Sequence, residues 1–151
     1  FAHNGDLKDF RPRLHGSFRP VGSTDSERAF CWLMQELAKS HASVPDVDEL
    51  TRTLRELAPV PARHGTFNFL LSNGTALWAH ASTNLCYTER RHPFQSAHLA
   101  DEDLSVDFGP VTTERDRVAV VVTAPLTTNE TWTPFAPGEL MVFVDGARRC
   151  A

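Results

Sequence analysis

Two short stretches of this sequence combine residue types that could act on a carbonyl compound. The first is His3-Asn4-Gly5. An asparagine side-chain amide and the next residue's N–H, held in one tight turn, are two donors that can converge on a point. That arrangement suits the oxyanion that forms when a carbonyl is attacked. Glycine permits both the close backbone approach and an unusual φ. A plain turn is the competing reading, because Asn-Gly is a common turn pair. Asn73-Gly74 shows the contrast: it is read only as a hairpin turn. The second stretch is Thr24-Asp25-Ser26-Glu27. Asp25 falls in the first turn of a helix, where the helix dipole favours an acid. It is either ordinary N-terminal decoration or a carboxylate steadied by backbone N–H groups, which stays ionised and can receive a substrate ammonium.

Other residues offer less. Cys31 and Cys86 fall among core positions of a helix and a strand, and read as buried small hydrophobes rather than nucleophiles. Cys150 is the third cysteine. His80 shares a strand face with Trp78 and reads as a structural histidine. Trp132 is a loop aromatic at a core edge. No Gly-x-Ser-x-Gly elbow, phosphate-binding loop or His-Glu-x-x-His helix is present. With no Cys-x-x-Cys pair and seven scattered histidines, a zinc site has no support, and no cofactor is expected.

The elements that must position these groups are legible from periodicity. Thr24 and Glu27 have capping-box spacing. Ala29, Phe30, Leu33, Met34 and Leu37 then recur on one face of a helix, with Gln35, Glu36 and Lys39 on the other. A second helix runs from about Pro45 to Leu57 on the stripe Val47, Leu50, Leu54, Leu57. Asp48 and Arg52 form an i,i+4 pair, and Pro59 and Pro61 stop the helix. Strands come after the helices. Phe67, Phe69 and Leu71 alternate before Asn73-Gly74, and Leu77, Ala79 and Ala81 alternate after it, which predicts a hairpin. "NLCYTER" gives a third strand. "DRVAVVVTAPL" gives a strand covered on both faces, by its continuous apolar run. "ELMVFVDG" gives a last strand ending at Asp145-Gly146. Helices first and strands afterwards predict an α+β fold, an antiparallel sheet packed on helices.

Length and composition bound the rest. The 151 residues, 41% hydrophobic and 23% charged, suit one globular domain. A net charge of −4 gives no reason to expect nucleic acid or an anionic membrane as partner. No run is long enough to span a membrane. Three widely spaced cysteines without a secretory signal point to a reducing, cytoplasmic setting.

In combination, "FAHNG", "RPVGSTDSERAFCWLMQEL", "FNFLLSNG", "STNL" and "APLTTNETWTPFAPGEL" resemble the class II glutamine amidotransferases, in particular their stand-alone bacterial branch of the YafJ type. The resemblance spans nearly the whole chain in order. It implies an N-terminal-nucleophile-hydrolase-type sandwich, two antiparallel sheets between helical layers. It also implies glutamine as the small-molecule substrate, hydrolysed at its side-chain amide to glutamate and ammonia. The ammonia acceptor would be a separate protein. By the same resemblance Asn4 and Gly5 match the oxyanion-hole pair, and Asp25 matches the carboxylate that binds the α-amino group of glutamine. The family's nucleophile is a cysteine at the mature N-terminus, whose α-amino group is the base. An arginine before "HNG" binds the glutamine carboxylate. Neither has a counterpart in this sequence. The expectation is therefore that residues 1–151 are the C-terminal part of a single amidotransferase domain, with sheet edges exposed, poorly soluble and inactive alone. The alternative is a non-catalytic glutamine-binding or regulatory module.

Overall fold

A computed structural model describes residues 1–149 of the chain. The elements are β1 (Ala2–Asn4), α1 (Asp25–Ser40), α2 (Val47–Leu57), α3 (Pro59–Ala62), β2 (Asn68–Ser72), β3 (Ala76–Ala81) and β4 (Cys86–Arg91). Next in the chain are β5 (Ala97–His98), β6 (Ser105–Val106), β7 (Arg117–Val122), β8 (Thr133–Pro134), β9 (Glu139–Val144) and β10 (Ala147–Arg149). One sheet has the order β1-β2-β3-β9-β10 and a second has β7-β4-β8. β5 and β6 form a small ribbon. Every strand pair is antiparallel. The fold is α+β, as the order of periodicities predicts.

The five-stranded sheet is the middle layer. Phe69, Leu71, Trp78, Leu140 and Val142 pack beneath the helices with Ala29, Trp32, Leu33, Leu50 and Leu54. Ala79, Ala81, Met141 and Phe143 face the second sheet, with Tyr87 and Phe135. Strands β3 and β9 are therefore covered on both faces. β7, expected to be so covered, is not. It is the edge of the second sheet, with Ala119 and Val121 against the inner cluster and Val118 41% exposed. On the other face Val118 is exposed while Val120 and Val122 are half-buried beside their buried partners Thr88 and Cys86. The apolar run of β9 also does not end the sheet. Asp145 (φ 49°) and Gly146 (φ 70°) form a two-residue turn with both φ positive, which suits a tight hairpin, and β10 returns antiparallel to β9.

The helices match their stripes with informative exceptions. Trp32 and Gln35 are buried on α1, whereas the spacing places Gln35 on the outer face. Its amide is satisfied there: Oε1 accepts from the His15 N–H (2.8 Å) and Nε2 donates to the Arg13 carbonyl (3.2 Å). The loop before α1 thus covers this polar position. On α2 the capping box belongs to Asp46 and Glu49. Asp48 pairs with Arg149 at 3.0 Å rather than with Arg52. Pro59 and Pro61 close α2 at Ala58 but also open the one-turn α3, where Pro occupies the first helical position. The Asn73-Gly74 turn is as expected, with Asn73 Oδ1 accepting from the N–H groups of Thr75 and Ala76.

His80 is 2% exposed and lies against Phe69, ring centroids 5.2 Å apart. Its Nδ1–H donates to the Phe67 carbonyl at 2.8 Å. Burial pushes its pKa below the ordinary value, and the bond to Phe67 only partly offsets this. The unfolded chain therefore takes up this proton first. His80 contributes stability that is complete above the ordinary imidazole pKa of about 6.5 and is lost as pH falls through the lower folded value. Denaturant melts of the intact protein should show unfolding free energy declining below about pH 6.5 by at most ~1.4 kcal/mol per pH unit from this group. His80→Gln keeps an N–H for Phe67 and should flatten that part of the profile. An unchanged slope would remove His80 as its source.

Candidate active site

β1 pairs with β2 through Ala2↔Leu70, His3↔Phe69 and Asn4↔Asn68, and the same register returns at Leu7↔Gly65. Between them the ladder opens. Continuing the register sets Asp6 opposite Thr66, yet the Thr66 carbonyl accepts from His3 Nε2 at 3.0 Å instead. Gly5, at φ +151°, crosses so close to Thr66 that a Cβ there would lie 2.0 Å from the Thr66 carbonyl oxygen. Gly65, at φ +149°, makes the mirror crossing, its Cβ position 2.1 Å from the Asp6 carbonyl oxygen. Only glycine fits at either point. Asn4-Gly5 is thus a bowed departure from a strand. Asn4 and Gly5 are exposed. Among the described residues neither the Asn4 side-chain amide nor the Gly5 N–H has a protein hydrogen-bond partner.

Asp25 opens α1. Its N-cap is Thr24, whose Oγ1 accepts from the Glu27 N–H at 3.2 Å. The reciprocal capping-box bond is replaced: Glu27 reaches further back, its two carboxylate oxygens accepting from the N–H groups of Val21 (2.6 Å) and Gly22 (2.7 Å). Asp25 Oδ1 accepts from the Ser26 N–H and Oδ2 from the Leu7 N–H, each at 2.8 Å. Burial, the largest single influence, raises the Asp25 pKa. The N–H groups of Leu7 and Ser26, with His3 nearby, outweigh it and hold the carboxyl below its ordinary value. A carboxylate has about four acceptor positions, so two strong bonds leave capacity for an incoming cation.

The two stretches singled out in the sequence therefore meet at one point, Ser26 Oγ with His3 Nδ1 at 2.8 Å, and Asp25 also holds the N–H of Leu7, two residues beyond Gly5. They do not share every surface. Asn4 borders a cleft between the two sheets, of about 140 Å³, with Leu70, Leu85, Val121 and Thr123 among its walls, and Asp25 is not one of them. Cys31 lies on α1 and Cys86 on β4. Burial pushes both thiols up, with Glu27 adding to the effect at Cys31. Neither is hydrogen-bonded to a base among the described residues, and Cys150 lies outside them. Trp132 is half-buried. Its Nε1–H donates to Thr127 Oγ1 (3.0 Å), whose hydroxyl donates to Glu130, the partner of Arg90.

Sequence reasoning misses Asn68. It is 3% exposed and sits opposite Asn4. Its Oδ1 accepts from the N–H groups of Ser82 and Thr83, and its Nδ2 donates to Thr83 Oγ1. It thus fixes the "STNL" turn beside the cleft. The available signal is an asparagine interrupting the apolar run "FNFLL". Among the described residues no group of three or more His, Cys, Asp or Glu converges to hold a metal, and no helix is long and apolar enough to cross a membrane.

A family model described as "Glutamine amidotransferases class-II" matches residues 1–151. The chain belongs to this family. Among its relatives, the Escherichia coli (strain K12) protein "Putative glutamine amidotransferase YafJ" is 44% identical over 149 residues, 98% of this chain and 58% of that protein. "Putative glutamine amidotransferase" of Haemophilus influenzae is 40% identical over 148 residues, 98% of this chain and 50% of that protein. The crystal structure of a predicted glutamine amidotransferase from Pseudomonas aeruginosa superposes with a TM-score of 0.87 at 41% identity, over 99% of this chain and 59% of that one. The chain therefore spans between 50% and 59% of the length of these relatives. The close match to a solved amidotransferase agrees with the N-terminal-nucleophile-hydrolase-type sandwich. One helical layer and two sheet layers of it lie among the described residues.

Proposed function

We propose that the intact protein hydrolyses the side-chain amide of glutamine to glutamate and ammonia, and that residues 1–151 form the substrate side of that domain. The Asn4 side-chain amide and the Gly5 N–H receive the oxyanion. Asp25, ionised and braced, pairs with the substrate's α-ammonium. The attacking thiolate comes from a cysteine outside these 151 residues. It adds to the amide carbonyl, the proton given up by the thiol passes to the amide nitrogen, which leaves as ammonia, and water then cleaves the thioester to release glutamate and restore the thiol. Without that sulfur, the 151 residues alone turn over no glutamine, because positioned donors lower a barrier only when something attacks beside them. The protein works in the cytoplasm and passes its ammonia to a separate acceptor.

The observation that carries this reading is the Asp25 carboxylate, bound on both oxygens by backbone N–H groups, one of them from the segment of the unpartnered Asn4 and Gly5 donors. A coupled glutamate assay on the intact protein tests it. Steady release of glutamate and ammonia in equal amounts is expected. Absence of turnover overturns it. Glutamine binding without turnover favours the regulatory-module reading, which the lack of a hydrogen bond from Cys31 or Cys86 to a base among the described residues supports.

A further inference from the structure

Resting on that reading, we propose that His3 is a positioning residue that fixes the Asn4-Gly5 donors relative to Asp25. It does so by joining the opened β1–β2 ladder to the first turn of α1. His3 lies immediately before the donor pair. Its ring tilts against Phe67, centroids 5.1 Å apart, and both nitrogens are used. Nε2 meets the Thr66 carbonyl at 3.0 Å, and Nδ1 meets Ser26 Oγ at 2.8 Å. A carbonyl can only accept, so Nε2 carries a proton. In the neutral ring Nδ1 then accepts from the Ser26 hydroxyl. In the cation it donates to Ser26 Oγ, whose hydroxyl turns to Asp25 Oδ1 at 3.5 Å. Both bonds survive in either state.

The placement has a mechanical consequence. Thr66 is the residue whose carbonyl a regular ladder would offer to Asp6, one position beyond Gly5. By taking that carbonyl, His3 holds the ladder open where Gly5 crosses Thr66, and so preserves the bow that leaves the Gly5 N–H without a partner. Through Ser26 the same ring ties this bow to the residue after Asp25. The chain Thr66–His3–Ser26–Asp25 is therefore a brace between the group that would meet the oxyanion and the group that would meet the ammonium. Misplacing an oxyanion donor weakens transition-state binding more than ground-state binding. Loss of the brace should therefore appear mainly in kcat, whereas loss of the Asp25 charge should appear mainly in KM.

The test is a kinetic cycle on the intact protein. His3→Gln should lower kcat about 30-fold with KM for glutamine changed less than about threefold, and Ser26→Ala should lower kcat about fivefold. The double variant should be no slower than His3→Gln alone, since both remove one brace. Multiplying effects, or an effect of either variant confined to KM, would overturn the proposal. Nuclear magnetic resonance supplies a readout that does not need turnover and keeps this proposal separable from the glutaminase reading. Ser26→Ala removes a single hydroxyl from a half-buried position, a change small enough for the fold to absorb. It should shift the Gly5 amide resonance in the wild-type background and leave it in place in the His3→Gln background. Equal shifts in both backgrounds, or none in either, would show that Ser26 does not act through His3. If the intact protein hydrolyses no glutamine, the reading of function falls, and these resonances alone decide whether the brace exists.

Discussion

Gly5→Ala will destabilise the protein by about 3 kcal/mol or more. The added Cβ would stand 2.0 Å from the Thr66 carbonyl oxygen and 2.7 Å from its carbon. Both are backbone atoms of a residue flanking β2, so neither can rotate aside. The φ of +151° adds strain for any L side chain. The chain has two ways to relieve the clash, and each has a cost. Moving β1 away breaks the pairs that hold Asn4 to Asn68 and His3 to Phe69. Moving Thr66 breaks its bond to His3. Denaturant melts check the result: the midpoint should fall with the slope unchanged. Gly65→Ala should behave alike, its Cβ 2.1 Å from the Asp6 carbonyl oxygen. Because both report on one crossing, the double variant should lose less than the sum. A loss below about 1 kcal/mol for Gly5→Ala would mean that the bow is soft, and the donor geometry argued from it would fail.

Asp25→Asn should raise KM for glutamine about 100-fold, with kcat within a few-fold of wild type. Replacing one member of a charge-assisted pair costs about 2–4 kcal/mol, and an ammonium held equally in ground and transition states is lost from KM. Steady-state kinetics of the intact protein over a wide glutamine range measures both constants. An unchanged KM would remove Asp25 from the substrate site. The same substitution has a structural signature. Burial raises the Asp25 pKa, but the Leu7 and Ser26 N–H groups and His3 bring it below the ordinary carboxyl value. A carboxylate with a lowered folded pKa contributes stability that is complete above the unfolded value of about 3.9. That contribution disappears as pH falls through the folded value. The stability gap between wild type and Asp25→Asn should therefore be full at neutral pH and close in acid below about pH 4. From about pH 5 to 8 KM should not vary with Asp25 at all, since the group stays ionised there.

The sequence carried the large periodic features well, because burial on one face is a property of spacing. The stripes of α1 and α2, the Asn73-Gly74 hairpin and the helix-then-strand order are all of this kind. It carried features that depend on a distant cover less well. Gln35 has the polarity of an outer position, and only the Arg13–His15 loop lying over it makes it a buried one. The valines of β7 have the composition of a doubly covered strand, while one of the two strands that are covered twice, β3, contains His80 and shows an alternation of mostly small side chains. Which faces are covered depends on strand order, and spacing within one strand does not encode strand order. The candidate site divides along the same line. Asn4, Gly5 and Asp25 could be named because each carries its chemistry in its own type. Asn68, the role of His3 and the reach of Glu27 to Val21 and Gly22 could not, because each acts by a bond to a backbone group that any residue could supply.

The bond from Leu7 to Asp25 gives such recruitment an evolutionary side. Leu7 is buried at 6% exposure, and its side chain is held by the core. Its N–H, in contrast, braces an anion. The two duties fall on different atoms of one residue, so selection can vary the side chain for packing while the anchor persists. Isoleucine or methionine at position 7 would register as tolerated core drift. Proline, of similar apolarity, would delete the donor and reach the Asp25 carboxylate from a position that a side-chain tally would file under packing alone.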